Sequence, residues 1–260
     1  MDANQLFEKI ENSKRLDFGE VLSKSFEMYK KVFSIGVVHA LIIFALAIPF
    51  VLIIYVPLIP SYIGMIQNAG DPYYQPTFLE DFSIIIVVVW ILVVFVLSFV
   101  MQVLNISIYG HFLKVLKNED LGIKEETGGY FSIAKNHFGK IILLSLANMG
   151  IALLATLACY FPVFYVMVPL QLVIPIFVFN EELSIENIIK AAFKLGNKYW
   201  LIFFGLIFVS GIFSALGLIG CYIGVIATLF FSYIVTYYMY KETIGFGNED
   251  ASESRNTIVE

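Results

Sequence analysis

Four long runs of the 260-residue sequence contain no Asp, Glu, Lys or Arg: residues 32–70, 82–113, 141–180 and 199–240, which are 39, 32, 40 and 42 residues long. A helix needs about 20 apolar residues to cross the hydrocarbon layer, and a straight helix of 40 would be about 60 Å long, twice that thickness. Runs of this length therefore place the chain in a bilayer and make it cross more than once. Composition agrees, with 59% hydrophobic and 14% charged residues, where a soluble domain carries about 25% charged. Two cysteines exclude a secreted disulfide scaffold, the scarcity of polar sequence excludes a disordered chain, and a net charge of −5 excludes a nucleic-acid binder.

The third and fourth runs must each fold back as a hairpin. Breakers stand near their midpoints: Cys159-Tyr160-Phe161-Pro162 in one and Gly217-Leu218-Ile219-Gly220 in the other. Proline lacks the amide hydrogen and glycine accepts positive φ, so both suit turns. The first run gives one crossing, followed by Pro57-Leu58-Ile59-Pro60 and a polar loop, and the second gives another that extends beyond the membrane through His111–Lys117. The expected spans are about 35–56, 83–108, 141–158, 163–179, 201–218 and 222–240, within a single membrane domain over 1–244. The Gly-, Asn- and acid-rich tail 245–260 is expected to be disordered.

An even number of spans leaves both termini on one side. All 16 basic residues fall in the segment before the first span, the second-to-third and fourth-to-fifth loops, and the tail. The opposite face carries only Asp71, Glu80 and Asp81. Cytoplasmic loops retain Lys and Arg, so both termini are expected in the cytoplasm, the membrane being a bacterial inner membrane. No cleavable signal peptide is evident, because some thirty charged, amphipathic residues precede the first apolar run.

The segments before spans one, three and five resemble one another. Residues 18–33 place Phe18, Val21, Leu22, Ser25 and Met28 on one helical face and Glu20, Lys24, Glu27, Lys30 and Lys31 on the other. Residues 185–200 do the same, with Ile188 and Ala192 opposite Lys190, Lys194 and Lys198 and with Ser184 as N-cap. Residues 130–138 are a shorter version. Each ends in a basic or amide pair followed by an aromatic: Lys30-Lys31-Val32-Phe33, Lys135-Asn136-His137-Phe138 and Asn197-Lys198-Tyr199-Trp200. Such helices belong in the headgroup layer, with Lys30, Lys31, Lys135, Lys190, Lys194 and Lys198 against anionic lipid. The expected fold is an all-α integral membrane protein, six transmembrane helices with three amphipathic interfacial helices on the cytoplasmic face, in three helix-plus-hairpin units.

Inside the spans there is no charged residue, which argues against an ion-coupled pump. The polar residues there are His39, Gln102, Asn105, Asn148 and Gln171. Counted inward at 1.5 Å per residue, the first four reach similar depth in the cytoplasmic half. They form either interhelical hydrogen bonds or a polar layer that takes a ligand. No paired histidine motif, nucleophile elbow or phosphate loop is present, so no metal, cofactor or catalytic residue is expected. Cys159 and Cys221 both fall at outer turns, where they either form a disulfide between the two hairpins or are small apolar turn residues. The outer loop 59–81, with its Tyr73-Tyr74, is expected to cap the bundle at the headgroup belt.

Asp17-Phe18-Gly19-Glu20, Tyr29-Lys30-Lys31-Val32-Phe33, Pro175-Ile176-Phe177-Val178-Phe179-Asn180-Glu181 and Lys198-Tyr199-Trp200 resemble a diffuse family of bacterial six-span proteins. That family includes the membrane domain attached to some glycerophosphodiester phosphodiesterases. The resemblance covers most of the chain and implies a membrane domain without the soluble catalytic barrel. Similar short proteins carry the label beta-carotene monooxygenase. Carotenoid cleavage enzymes hold iron with four histidines, whereas this chain has three, dispersed. The leading expectation is a non-enzymatic protein that contacts membrane lipid or scaffolds a partner. Alternatives are an uncoupled small-molecule or lipid transporter and an enzyme acting on an apolar substrate.

Overall fold

The computed structural model describes residues 1–71, 83–158, 161–219 and 223–246. Within them the chain is helical, without strands. The helices are α1 (Ala3–Asn12), α2 (Phe18–Lys31), α3 (Phe33–Tyr55), α4 (Ile59–Gln67), α5 (Ile84–Leu121), α6 (Ser132–Asn136), α7 (Phe138–Leu157), α8 (Phe161–Phe179), α9 (Ile185–Lys198), α10 (Trp200–Ile219), α11 (Ile223–Thr228) and α12 (Phe231–Lys241). Five of them, α3, α5, α7, α8 and α10, are long and apolar enough to cross a membrane.

Those five match the expected spans one to five. The sixth differs, because residues 222–240 do not form one helix. Around Leu229-Phe230 the ladder breaks between α11 and α12. The carbonyls that an unbroken helix would use there are taken by side chains: the Tyr29 hydroxyl donates to Ala227 O at 2.9 Å and the Ser214 hydroxyl to Thr228 O at 3.3 Å. With those acceptors satisfied, the break costs less, and the Phe230 ring is buried in the core.

Two further differences concern loops. The stretch after the first span, expected as a polar loop, begins with α4, whose Pro60 sits in the first turn, where its missing amide hydrogen costs nothing. The extension of the second span runs on to Leu121, making α5 38 residues long. It stops where Gly122 adopts the left-handed conformation (φ 65°) and the Ile123 amide bonds back to Asn118 O.

The three junctions before α3, α7 and α10 share one geometry. A single residue both ends the preceding helix and starts the long one: Val32 (φ −102°, ψ 15°), His137 (φ −126°, ψ 33°) and Tyr199 (φ −118°, ψ 23°). At each, its amide donates four residues back and its carbonyl accepts from four residues ahead, so the junction residue keeps both of its backbone bonds through the bend.

Packing is concentrated at one end. There, α12 is enclosed by α2, α5, α8 and α10, and eight of its eleven residues are buried. Tyr237, Tyr240, Phe112, Phe177, Phe203, Phe230 and Phe231 fill this core. Towards the other end α5 carries a stripe of half-buried residues, Val87, Trp90, Val94, Leu97 and Met101, at helical spacing, with Phe99 also packed against the core. The rest of its surface there is exposed and apolar, Ile84 being 75% accessible. The expected disulfide partners Cys159 and Cys221, the loop residues Tyr73 and Tyr74, and residues 247–260 of the tail lie outside the described residues. The first two tail residues are described, and Phe246 packs on Phe179 with ring centroids 4.8 Å apart.

Candidate functional site

The polar residues of the long helices divide into separate groups. His39, buried on α3, has Nδ1 2.8 Å from the Ile35 carbonyl and Nε2 2.8 Å from Nδ1 of His111 on α5. A carbonyl only accepts, so the His39 proton sits on Nδ1, and in the neutral pair His111 donates to His39. The two rings stack at 5.1 Å, and Tyr130 closes over both at 5.0 and 4.7 Å. Asn105 lies against the Tyr233 hydroxyl, and Tyr233 stacks on Tyr109 at 4.1 Å. Phe112, between His39 (4.8 Å) and Tyr233 (6.4 Å), joins these two groups. Among the described residues no hydrogen bond links Gln102, Asn148 or Gln171 to them, and the Asn148 carbonyl oxygen is buried without a partner. Of the five polar residues, then, His39 and Asn105 share one neighbourhood.

His111 and the Tyr130 lid were not in the expected layer, since nothing in a sequence joins residues 72 apart. The third histidine lies elsewhere. His137 Nε2 is 2.8 Å from Glu181, which also accepts from Lys114 at 2.7 Å, while Lys140 bonds the Glu181 carbonyl. Burial alone would raise the Glu181 pKa, but the Lys114 ammonium and His137 together hold it below the ordinary value of 4.5. Among the described residues no three His, Cys, Asp or Glu side chains converge as metal ligands.

A second carboxylate ties α5 to α12. Asp120 accepts from the hydroxyls of Tyr237 (2.7 Å) and Tyr238 (3.0 Å) and from Lys241 (2.8 Å), and is little exposed. Lys198, expected at the lipid surface, is exposed and caps the C-terminal end of α1. Its ammonium donates to Ile10 O (2.8 Å), Glu11 O (2.7 Å), Ser13 O (3.1 Å) and Ser13 Oγ (2.9 Å). Tyr199 adds a bond to Lys14 O at 2.6 Å. These contacts gather the lysine-bearing segments at the packed end of the molecule.

The remaining lysines expected at headgroups are placed unequally. Lys194 pairs with Glu11, and Lys31 with Glu119. Lys190 pairs with Glu186 one turn away on an exposed face, a contact worth a few tenths of a kcal/mol. Lys30 and Lys135 are exposed with no ion pair among the described residues. Beside them stand Phe33, Phe131 and Phe138, all more than 40% accessible. The apolar face of α9, with Ile188, Ala191, Ala192 and Leu195, is fully buried against α8 and α1, while its lysine face points outward.

No protein-family model matches this chain, and no curated protein and no solved structure matches it significantly.

Proposed function

We propose that this chain is a non-enzymatic, multi-pass protein of a bacterial inner membrane whose lysine-bearing end faces the cytoplasm and holds anionic lipid at its rim. In this reading α11 and α12 together make the sixth crossing. Residues 223–241 would span about 28 Å, close to the hydrocarbon thickness. The helices α2, α6 and α9 lie at the cytoplasmic headgroup level, and the three junctions of equal geometry mark three helix-plus-hairpin units. Membership of the six-span family that includes the domains attached to glycerophosphodiester phosphodiesterases belongs to the same reading.

The observation that carries it is the pairing of exposed Lys30 and Lys135 with exposed Phe33, Phe131 and Phe138 where the long helices begin. An ammonium at the phosphate level above a ring inserted among acyl chains is the arrangement of an interfacial anchor. The filled interior around α12 supports a scaffold over a conduit, because a transported solute would have to displace Phe230, Phe231 and Tyr237.

The test uses the full chain in nanodiscs of phosphatidylcholine with and without phosphatidylglycerol. Phosphatidylglycerol should be enriched around the wild type, and the enrichment should fall when Lys30, Lys135 and Lys190 are all changed to Gln. Equal enrichment in both proteins would reject the lipid role. Modification of Lys124 by a membrane-impermeant amine reagent in intact cells would reject the orientation.

A further inference from the structure

The chain carries net charge −5, yet one cavity in its packed end is basic. It has a volume of about 480 Å³ and lies where the end of α1, the middle of α2 and the end of α12 meet. Its wall contains Lys9, Lys14, Lys24 and Lys241, a single carboxylate, Glu242, and the neutral residues Asn12, Ser13 and 243–245. Lys241 comes from the far end of the sequence to meet Lys9, Lys14 and Lys24, so their convergence is a product of the fold.

Where each positive charge finds its answer decides what the cavity can hold. Lys24 bonds Glu242 at 2.9 Å and Glu20 at 2.8 Å, and Lys241 bonds Asp120 at 2.8 Å. Lys9 bonds only a neutral group, the Ile244 carbonyl at 3.0 Å, and so fixes the turn after α12 without cancelling its own charge. The exposed Lys14 ammonium has no hydrogen bond or ion pair among the described residues, although the Lys14 carbonyl accepts from Tyr199. The capping of helix ends accounts for Lys9, and ion pairing for Lys24 and Lys241. Among the described residues no carboxylate pairs with Lys9 or with the exposed Lys14. Lys198, hydrogen-bonded to Ser13 in the same wall, adds a further cation, with the Glu11 carboxylate nearby.

We infer that this cavity binds a phosphate group, presented either by a lipid headgroup or by a soluble phosphate ester. Two unanswered ammonium charges match a phosphate monoester dianion better than a monoanionic carboxylate, and lysines approaching from separate directions suit its three terminal oxygens. Depth agrees with the lipid source. His39 lies seven residues, about 10 Å, inside the Val32 junction. It is level with His111, and Asp120 follows nine residues, about 14 Å, further towards the basic end. Lys241, bonded to Asp120, therefore sits a few ångströms beyond the junction, at headgroup height. That placement rests on the membrane reading above, whereas the charge argument does not.

The experiment takes the full chain in phosphatidylcholine nanodiscs and has two arms. One adds phosphatidic acid, whose phosphomonoester is exposed, with phosphatidylglycerol as the phosphodiester comparison. The other adds glycerol phosphate in solution. Binding is read by native mass spectrometry and by broadening of the ³¹P resonance. Saturable binding is expected in at least one arm, and which arm responds identifies the source. Lys14→Glu should weaken it about tenfold while leaving the ligand-free unfolding temperature unchanged, since the Lys14 ammonium has no partner among the described residues. Lys9→Gln, tested second, should weaken it as well. No saturable binding by the wild type in either arm, or undiminished binding by Lys14→Glu, overturns the proposal. The variant of Lys30, Lys135 and Lys190 should keep this binding. Its loss of phosphatidylglycerol enrichment alongside undiminished phosphate binding by Lys14→Glu would leave the surface-lipid reading standing and remove the cavity.

Discussion

Gly36→Ala tests the packing at the start of α3 directly. A Cβ built at Gly36 would lie 2.3 Å from two carbons of the Phe230 ring and 2.6 Å from a third. Ordinary carbon contacts begin near 3.5 Å, so one partner must move by about 1 Å. The ring cannot simply turn away. It is 1% exposed, stacks on Tyr29 at 5.1 Å and meets Phe33 and Phe112 at 6.1 and 6.0 Å, while the Tyr29 hydroxyl is fixed to Ala227 O. Overpacking of this kind costs about 3 kcal/mol, equivalent to roughly 6–12 °C in unfolding temperature for a chain of this size. Gly36→Ala combined with Phe230→Leu should recover more than half of that loss, because the smaller side chain vacates the space the methyl needs. The assay is thermal unfolding of nanodisc-embedded protein followed by size-exclusion recovery. Gly150→Ala, where no atom lies within 4 Å of the added carbon, serves as the helix-propensity control and should be neutral or mildly stabilising. A Gly36→Ala protein as stable as the Gly150→Ala protein, or strict additivity of Gly36→Ala and Phe230→Leu, would refute the contact as the cause.

Asp120→Asn should cost about 3 kcal/mol, since a little-exposed lysine loses its carboxylate and two tyrosyl hydroxyls lose a charged acceptor; adding Lys241→Met should restore most of the unfolding temperature. Lys198→Met should loosen α1 by about 1 kcal/mol, read as roughly fivefold faster hydrogen exchange across Ala3–Asn12 with the exchange of α12 unchanged. Glu181 has a folded pKa below its ordinary 4.5, so its stabilisation is present above pH 4.5 and disappears as the pH falls through the folded value. Unfolding temperature measured against pH should therefore drop more steeply below pH 4.5 for the wild type than for Glu181→Gln, and parallel curves would contradict this assignment.

The long helices were legible because the charge-free runs and the Pro and Gly breakers act locally. Ser184 caps α9, with its hydroxyl 3.3 Å from the Asn187 amide, as its position before the apolar face predicts. Pairing over long distances left no such trace. His39 was visible as a polar residue in a span, but its partner His111, 72 residues away, was not, because a hydrogen bond between two helices imposes no spacing on either sequence. The break before α12 was also hidden: one of its freed carbonyls, Ala227 O, is satisfied by a tyrosine on α2, far away in sequence. The amphipathic pattern of α9 is real, but the sequence cannot say what covers the apolar face, and here α8 and α1 cover it. Lys198 ends an amphipathic helix as the sequence pattern indicates, but its bonds to the end of α1 leave no trace in that pattern.

The uneven packing bears on where this molecule can hold anything in fixed geometry. Between helices in lipid there is little hydrophobic driving force, because the acyl chains are as apolar as the side chains they would replace. Association then depends on close packing and on polar bonds, and both are concentrated at the basic end. Asp120, Glu181 and Lys198 knit α5, α12, α8, α1 and α9 there, whereas no residue of α5 before Val103 is buried. The far halves of α3 and α5 can adapt to whatever surrounds them at little cost. The basic end cannot, since each displacement there breaks a charged bond or opens a cavity among aromatic rings. A binding site needs partners that stay in place while the ligand is absent, so the proposed phosphate site is consistent with the packed end, and the exposed apolar halves of α3 and α5 are the surface that a membrane would cover.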